Sequence, residues 1–413
     1  MGGYVSDDTT SPPLAGLRIL DLSTVVAAPV ASTLLADFGA EVVKIELPGK
    51  AIDALRAMAP HVEGPDGQEV PLWWKVANRN KRGITLDIRA EEGAEIFRRL
   101  IPRFDVLVEN FRPGTLARWG FSKEVLEELN PGLIVLRVSG YGQTGPMAGH
   151  PGFARVAEAY AGFTALAGHA DGPPMHVGYP VADGITGLYG ALGILVACMR
   201  KKDHPDAPGE EIDLSLAEAM LRFLDFTIIE VDQTGQARQR MGSRNPYAGP
   251  SNVYGTADGR WCSISASSQS VFERLARAMA RPELIDDERF ASNQARLANI
   301  DAIDTIVADW MGAHTQAECV AVFEAEGIAG GPVNDAADLM ACEHLAERGA
   351  IVRIDDADLG SVAMQGVVPV LRDAPGRVER PGPGHGEHTD EVLAELLDLA
   401  PAELTALREK GVI

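Results

Sequence analysis

The sequence has few cysteines and no cysteine motif. Among its 413 residues only 4 are cysteine, and none forms a CxxC pair. They are Cys198, Cys262, Cys319 and Cys342. Cysteines this far apart favour neither a disulfide framework nor a zinc site, so we expect a reducing, cytoplasmic environment.

Long apolar segments are also lacking. Residues 1–13 contain no basic stretch and no apolar run, so we expect a disordered tail there and no signal peptide. The longest apolar stretch, residues 185–199, is shorter than the roughly 20 residues that cross a bilayer. We therefore expect a core helix there and no association with a membrane.

Positive charge is scarce. The chain has 37 Lys plus Arg against 59 Asp plus Glu, a formal net charge of −22. A field of that sign repels nucleic acid, so a nucleic-acid partner is excluded. At 46% hydrophobic and 23% charged residues the composition is that of a globular protein, and any anionic ligand requires a locally basic pocket.

The order of predicted elements indicates an α/β fold. Residues 17–23 and 41–46 have the composition of buried strands, and residues 29–40 between them have helical spacing. The alternation continues through residue 139 with further predicted helices at 91–100 and 122–129 and strands at 105–110 and 133–139. Strands that are apolar on both faces and alternate with helices predict a parallel sheet covered on both sides.

The character of the sequence changes near residue 223. A loop-rich stretch, a strand pair broken by Asp258-Gly259 and several short helices follow. We predict a large domain over residues 14–222, a small α/β domain over 223–330 and a C-terminal segment over 331–413.

A dinucleotide-binding glycine motif is missing. The turn after the first strand is STVVAAPVA, residues 23–31, where GxGxxG would allow a pyrophosphate to approach the backbone. Glu46 resembles the acidic ribose ligand of such sites, but without the glycines we interpret it as a solvated strand end. We therefore expect no NAD.

One histidine-rich segment suggests a metal only at first sight. His385, Glu387 and His388 lie in a glycine-rich loop, and no fourth ligand is indicated. We interpret them as loop and capping residues and expect no metal.

A basic window interrupts the acidic chain. Residues 75–89 carry five cations against one anion, Asp87. The window is either a solvated loop or part of a phosphate site. Arg112 and Arg118 follow a predicted parallel strand, where α/β proteins commonly bind ligands. Two basic segments in one α/β unit suit a small molecule rich in phosphate, because arginine binds phosphate in a bidentate manner.

Asp183 lies directly before a predicted helix and among apolar residues. It is either an N-cap that accepts a backbone hydrogen bond or a carboxylate nucleophile kept ionised by the helix N-terminus. The helix carries glycines at positions 184, 187, 190 and 193, which predicts the close approach of another backbone or of a ligand.

Seven motifs together resemble the class III CoA-transferases, the group of formyl-CoA transferase and carnitine CoA-transferase. In chain order they are LAGLRILDLSTVVAAPVASTLLADFGAEVVKIE, NRNKRGITLDI, VENFRPGTLARWG, SGYGQTGP, VADGITGLYGALGIL, GIAGGPVN and GEHTDEVLAEL. The resemblance covers nearly the whole chain.

The resemblance implies an enzyme that moves CoA from an acyl-CoA to a carboxylic acid, with Asp183 as the nucleophile. The expected intermediates are an aspartyl mixed anhydride and an aspartyl-CoA thioester. The expected CoA contacts are Val25, Val26, Ala27, Lys81, Arg82, Asn110, Phe111 and Arg118. The resemblance also implies a Rossmann-like large domain built from both ends of the chain, and an interlocked homodimer.

The chain departs from the family at three places. Leu47 and Ser139 stand where some members have cations toward CoA, and Gly242 to Asn252 replaces the glycine-rich loop of formyl-CoA transferase.

Two other functions compete with CoA transfer. The α-methylacyl-CoA racemases have a similar fold and use a histidine where this chain has Phe153, so His150 would serve only in a shifted alignment. A catalytically silent CoA-binding protein would lack the nucleophile, whereas Asp183 is present. We therefore favour the transferase.

Overall fold

The computed structural model describes residues 11–49, 53–65 and 67–413. Residues 1–10 of the predicted tail lie outside the described residues. The strands are β1 Arg18–Asp21, β2 Glu41–Glu46, β3 His61–Glu63, β4 Glu69–Pro71, β5 Lys81–Thr85, β6 Val106–Glu109, β7 Ile134–Ser139, β8 Glu211–Ser215, β9 Ser251–Gly255, β10 Trp261–Ser265, β11 Gly330–Pro332, β12 Ile351–Asp356 and β13 Gly360–Gln365.

Helices connect most of these strands, and three short 3-10 helices lie at Ala54–Ala57, Ile101–Arg103 and Pro282–Ile285. The α-helices are α1 Ala27–Ala36, α2 Leu72–Ala77, α3 Glu91–Leu100, α4 Thr115–Arg118, α5 Lys123–Leu129, α6 Ala154–Tyr160, α7 Phe163–Leu166, α8 Val181–Asp203, α9 Leu216–Phe223, α10 Thr227–Thr234, α11 Gln269–Ala278, α12 Asn293–Ala298, α13 Ile300–Gly312, α14 Gln316–Glu326, α15 Ala336–Met340, α16 Glu343–Glu347, α17 Thr389–Leu397 and α18 Pro401–Glu409.

The chain forms two compact units. The larger comprises Met1–Phe163, Val177–Ile228 and Glu343–Ile413, and the smaller comprises Thr164–His176 and Ile229–Cys342. Both ends of the chain thus belong to the larger unit. This division into units does not test the predicted domain boundaries at residues 222 and 330, which stay predictions.

A six-stranded sheet organises the larger unit. Its order is β5-β2-β1-β6-β7-β8, and every neighbouring pair is parallel. Numbered within the sheet, this is the order 3-2-1-4-5-6 of doubly wound folds, which leaves a crevice between β1 and β6 at the carboxyl ends of the strands. The predicted open parallel sheet is confirmed.

Apolar side chains cover both faces of this sheet. Leu20 and Val43 pack on one face with α3, α5, α17 and α18, while Ile19 and Val42 pack on the other with α1, α6, α8 and α9. Consecutive strand residues therefore enter opposite cores, which explains why the strands are apolar throughout.

Helix α8 differs from the expected core helix. It has 23 residues, and by length and composition it is the one helix among the described residues that could cross a membrane. One face packs on α1, where a Cβ at Gly187 would lie 2.5 Å from Val30 Cγ1 and one at Gly190 would lie 2.9 Å from Ala31 Cβ. The other face is exposed at Leu188, Leu192, Val196 and Met199. Gly187 and Gly190 therefore allow α1 to pack closely against the first face of α8.

The smaller unit has an antiparallel sheet of order β11-β10-β9. The predicted turn at Asp258-Gly259 joins β9 to β10, and Gly259 has the positive φ of 75° that such a turn requires. Helices α11, α13 and α14 enclose its core around Phe272 and Phe323.

Candidate active site

Two cavities open at the carboxyl end of the parallel sheet, where the strand order reverses. Each has a volume of about 250 Å³, and they share Thr24 and Phe111. The first, which we call the Asp183 cavity, is lined by Thr24, Val25, Val26, Ala27, Asn110, Phe111, Arg112, Pro113, Val138, Ser139, Gly140, Ala148, His150, Pro151, Gly152, Phe153, Asp183 and Leu216. The second, which we call the apolar cavity, is lined by Leu22, Thr24, Ile45, Glu46, Leu47, Asp53, Ala54, Leu86, Ile88, Arg89, Phe111 and Trp119.

Asp183 lies inside the first turn of α8 rather than before it. The helix begins at Val181 with Pro180 as its N-cap, and no side chain caps it. The predicted N-cap position is therefore wrong, because the helix begins three residues earlier than expected. The carboxylate of Glu158, a fully buried residue of α6, accepts a hydrogen bond from Ala182 N at 3.2 Å. Two acidic side chains thus share this helix N-terminus.

The environment of Asp183 opposes its ionisation. Burial, and next the negative charge of Glu158, raise the pKa of Asp183 from 3.8 to about 7. Burial and the charge of Asp183 also raise the pKa of Tyr179. With this pKa Asp183 is partly ionised near neutral pH, because desolvation and the charge of Glu158 oppose the ionisation that we expected the helix N-terminus to favour. A desolvated carboxylate near neutral pKa is typical of a reacting group.

The turn before α1 has a backbone conformation that is rare for its residue type. Val25 has φ of 65°, in the left-handed region that β-branched residues avoid. Asn110 holds the neighbouring Thr24, accepting from Thr24 N at 2.8 Å and donating to Thr24 O at 2.8 Å. The turn and the end of β6 therefore bring Val25, Val26, Ala27, Asn110 and Phe111 to one cavity with Asp183, as five of the eight expected CoA contacts.

Two glycines allow the far wall of the Asp183 cavity to close. A Cβ at Gly140 would lie 2.8 Å from the Cα of Gly152, so the loop after β7 and the loop before α6 touch backbone to backbone. A larger residue at either position would separate the two loops and open the cavity.

Lys81 is not brought to the cavity. It is fully buried, and its ammonium donates to Asp21 at 2.9 Å, to Pro29 O at 2.8 Å and to Asn78 at 3.0 Å. Burial lowers its pKa to about 8, although the charge of Asp21 opposes that shift. A contact of Lys81 with CoA stays a prediction that this position does not support.

The other cations of the basic window also pair with carboxylates, most of which are far away in the sequence. Lys75 contacts Asp356 and Asp358, and Arg79 contacts Asp37. Arg89 contacts Asp87 and lines the apolar cavity.

Arg82 and Arg118 lie away from Asp183. Arg82 forms ion pairs with Glu41, Glu391 and Glu395 and lines a cavity of about 390 Å³ at the amino end of β2 and β5. Its contact with CoA also stays a prediction that the position does not support. Arg118 is exposed and donates to Thr115 at 2.8 Å, next to Trp119 of the apolar cavity. A contact of Arg118 with CoA stays a prediction, and this position is compatible with it.

Glu46 is not the solvated strand end that we expected. It is buried, and Arg56 donates to both its carboxylate oxygens, at 2.9 and 2.8 Å. The sequence did not show that a cation ten residues later would fold back.

No cluster of three or more metal-ligating side chains occurs in the part of the chain that the structure describes. His385 contacts Leu47 O at 2.8 Å, Glu387 accepts from Gly384 N at 2.7 Å, and His388 precedes α17 as its N-cap residue. Each has a role in the loop.

Two residues take on meaning that sequence reasoning missed. Glu158 was detectable as the only acidic residue within the alanine-rich segment ARVAEAYAG, whereas nothing local marked Asp53, which accepts from Val25 N at 3.0 Å. Arg112, already noted in the sequence, lines the Asp183 cavity and has no ion pair within the described ranges. The two expected cations that are missing, at Leu47 and Ser139, would have lined these cavities.

Relatives of this chain include proteins named as CoA-transferases. The family model described as CoA-transferase family III matches residues 14–389. Over 97% of its length the chain is 40% identical to the succinyl-CoA–D-citramalate CoA-transferase of Chloroflexus aurantiacus, of which it covers 98%. It is 42% identical over 98% of its length to the succinyl-CoA–L-malate CoA-transferase beta subunit of the same organism, covering 99% of it. A crystal structure of a CAIB/BAIF family protein from Brucella suis superimposes with a TM-score of 0.84 at 31% identity, covering 94% of this chain and 100% of that one.

Proposed function

This chain belongs to CoA-transferase family III, and on that basis we propose that it moves CoA from an acyl-CoA thioester to a carboxylic acid, with Asp183 as the nucleophile. The observation that carries the proposal is the carboxylate of Asp183, which lies at the cavity between β1 and β6 and has a pKa of about 7. Exchanging one thioester for another of similar energy requires no ATP.

The first half of the reaction loads CoA onto the enzyme. A carboxylate oxygen of Asp183 attacks the thioester carbon of the donor, the C–S bond breaks, and CoA thiolate leaves a mixed anhydride behind. The thiolate then attacks the Asp183 carbonyl carbon of that anhydride. The C–O bond breaks, the donor acid departs as a carboxylate, and Asp183 carries CoA as a thioester.

The second half repeats these steps in reverse order. The acceptor carboxylate attacks the Asp183 carbonyl carbon and expels CoA thiolate, which forms a second anhydride. The thiolate attacks the acceptor's carbonyl carbon and releases both the new acyl-CoA and the Asp183 carboxylate. Backbone N–H groups in the first turn of α1, directly after the Val25 turn, are suited to stabilise the oxyanions, because that turn of the helix has neither a side-chain cap nor an acidic residue.

The two cavities suggest how CoA lies. We place the adenine ring in the apolar cavity, where Phe111 and Trp119 offer aromatic surface and Arg89 a cation. The pantetheine arm would pass Thr24 and Phe111, which both cavities share, and bring the thioester to Asp183. Arg118, exposed beside Trp119, is suited to the phosphates.

The acids exchanged are proposed to be dicarboxylic. Arg112 lines the Asp183 cavity and supplies the positive charge that a second carboxylate requires, and His150 lines the same cavity. Relatives named for succinyl-CoA, D-citramalate and L-malate support the same class.

The experiment that tests this function offers several acyl-CoAs and a panel of mono- and dicarboxylic acids to the enzyme and follows CoA exchange by mass. Succinyl-CoA with four- or five-carbon dicarboxylic acids is expected to exchange fastest. The racemase alternative gains support from His150, which lines the same cavity as Asp183. Deuterium uptake at the α-carbon of a 2-methylacyl-CoA in D₂O, without exchange between acids, would establish the racemase instead.

We also propose a homodimer. The outward face of α8 exposes Leu188, Leu192, Val196 and Met199 at 54 to 61% of their surface, in an i, i+4, i+8, i+11 pattern. A second copy of the chain would bury this row. Sedimentation at nanomolar concentration should show a dimer, since an interlocked pair separates only on unfolding, and a monomer would contradict the interlocked arrangement. The cytoplasmic location stays a prediction.

A further inference from the structure

The turn that faces Asp183 is held from behind by a buried carboxylate. Val25 N donates to Asp53 at 3.0 Å to one carboxylate oxygen and 3.3 Å to the other. The same carboxylate accepts from Leu55 N at 2.9 Å and thereby caps the short helix that follows it. Asp53 therefore ties the Val25 turn to a separate segment of the chain.

A lysine fixes Asp53 in turn. The ammonium of Lys44 lies 3.7 Å from Asp53 and 3.7 Å from Asp21, and all three side chains are buried to at least 99%. Lys44 also donates to the carbonyl oxygen of Ser23, two residues before Val25. One cation thus binds both the carboxylate that accepts from the turn and the backbone that leads into it.

Charge in this cluster is balanced. Lys44 and Lys81 contribute two positive charges, and Asp21 and Asp53 two negative charges, with Asp21 and Lys81 in contact at 2.9 Å. A buried charge is tolerated only with partners, so each member constrains the others. The four side chains therefore hold one another in place. Asp53 is the member of the cluster that accepts a hydrogen bond from Val25, the residue with the left-handed backbone conformation.

We infer that Asp53, held by Lys44, is a positioning residue for CoA transfer: it keeps Val25 in the left-handed conformation, so that the first turn of α1 stays beside Asp183. This inference rests on the proposed function, because it gives Asp53 a role in the reaction of Asp183. Asp53 itself lies behind the turn and acts through Val25.

The test is a double-mutant cycle between positions 53 and 25. Asp53→Ala removes the acceptor, so kcat should fall on the order of thirtyfold, because oxyanion donors lose their position. Glycine adopts a positive φ without steric strain. In a Val25→Gly background, the same Asp53→Ala change should therefore lower kcat by no more than about threefold. Asp53→Asn keeps an acceptor oxygen and should lose less than Asp53→Ala. Asp53→Ser, run through the same cycle, provides a second variant if Asp53→Ala does not fold.

Asp37 supplies the matched control. It is a buried aspartate paired with Arg79, and it lines the cavity at the amino end of the sheet. Val25→Gly should not reduce the effect of Asp37→Ala on kcat.

Two results would overturn the inference. One is an equal loss of kcat on changing Asp53 in the parent enzyme and in the Val25→Gly background, and the other is a loss of stability with unchanged kcat per folded enzyme. If neither parent enzyme nor any variant transfers CoA to any acid, the proposed function fails; a working parent with no coupling between positions 53 and 25 refutes the positioning role alone.

Discussion

Two aspartates at the carboxyl end of the sheet, Asp21 fully buried and Asp183 partly buried, have opposite properties. Asp21, at the end of β1, is surrounded by Lys44, Lys81, Ser23 and Ser32, and their charges and hydrogen bonds lower its pKa even though burial raises it. Asp183, at the start of α8, has Glu158 as its charged neighbour, and burial together with that charge raises its pKa to about 7. Desolvation raises the pKa of both, so the sign of the neighbouring charge separates a structural carboxylate from the proposed nucleophile.

The largest difference between the two should appear in turnover. Asp183→Asn removes the nucleophile while keeping the size of the side chain, so kcat should fall at least about a thousandfold. CoA affinity measured by calorimetry should remain. Turnover within tenfold of the parent enzyme would show that Asp183 has only a structural role.

The reverse effect is expected at Asp21. Asp21→Asn leaves Lys44 and Lys81 buried without one of their counter-charges, so the free energy of unfolding should decrease by about 3 to 5 kcal/mol. Urea unfolding at pH 7.5 measures it. Asp390→Asn, which breaks an exposed pair with Arg408, is the control and should change stability by about 1 kcal/mol or less. Equal losses at the two positions would mean that the buried cluster has no special role.

A third prediction concerns binding rather than the two aspartates themselves. If Arg118 contacts a CoA phosphate, Arg118→Ala should weaken CoA binding by about 1.5 to 3 kcal/mol, because a charge-assisted hydrogen bond is lost. Calorimetry with CoA measures this, with the exposed Arg408→Ala as control. Unchanged affinity would place the phosphates elsewhere and leave Asp183 as the assigned part of the site.

The smallest effect is the dependence on pH. Attack requires ionised Asp183, so kcat/KM should rise about tenfold per pH unit up to about pH 7 and level off above it. Glu158→Gln removes the negative charge that raises this pKa, so the rise should move to lower pH. Arg112 and His150, which line the cavity, and Tyr179, whose pKa the charge of Asp183 raises, are unchanged in that comparison. A profile that is flat from pH 5 to 8 would contradict the raised pKa.

Sequence patterns predicted the fold better than the site. The buried strands and their helices follow from local periodicity, and β2 and α3 have the bounds expected for them. Asp183 and the Val25 turn were identified because motifs surround them. Ion-pair partners that are remote in sequence were not identified, since no local pattern relates Lys75 to Asp356 or Lys81 to Asp21. The local excess of positive charge therefore indicated a phosphate site, although most of these cations form ion pairs with carboxylates of the same chain.

The covalent intermediate on Asp183 is the most direct test of this account. The enzyme is mixed with an acyl-CoA, quenched in acid within milliseconds to seconds, digested and examined by mass spectrometry. The account predicts CoA attached as a thioester to the peptide that carries Asp183, its disappearance when an acceptor acid is added, and its absence in Asp183→Asn. Rapid CoA exchange with no CoA on the enzyme, or with CoA attached to a different residue, would contradict it.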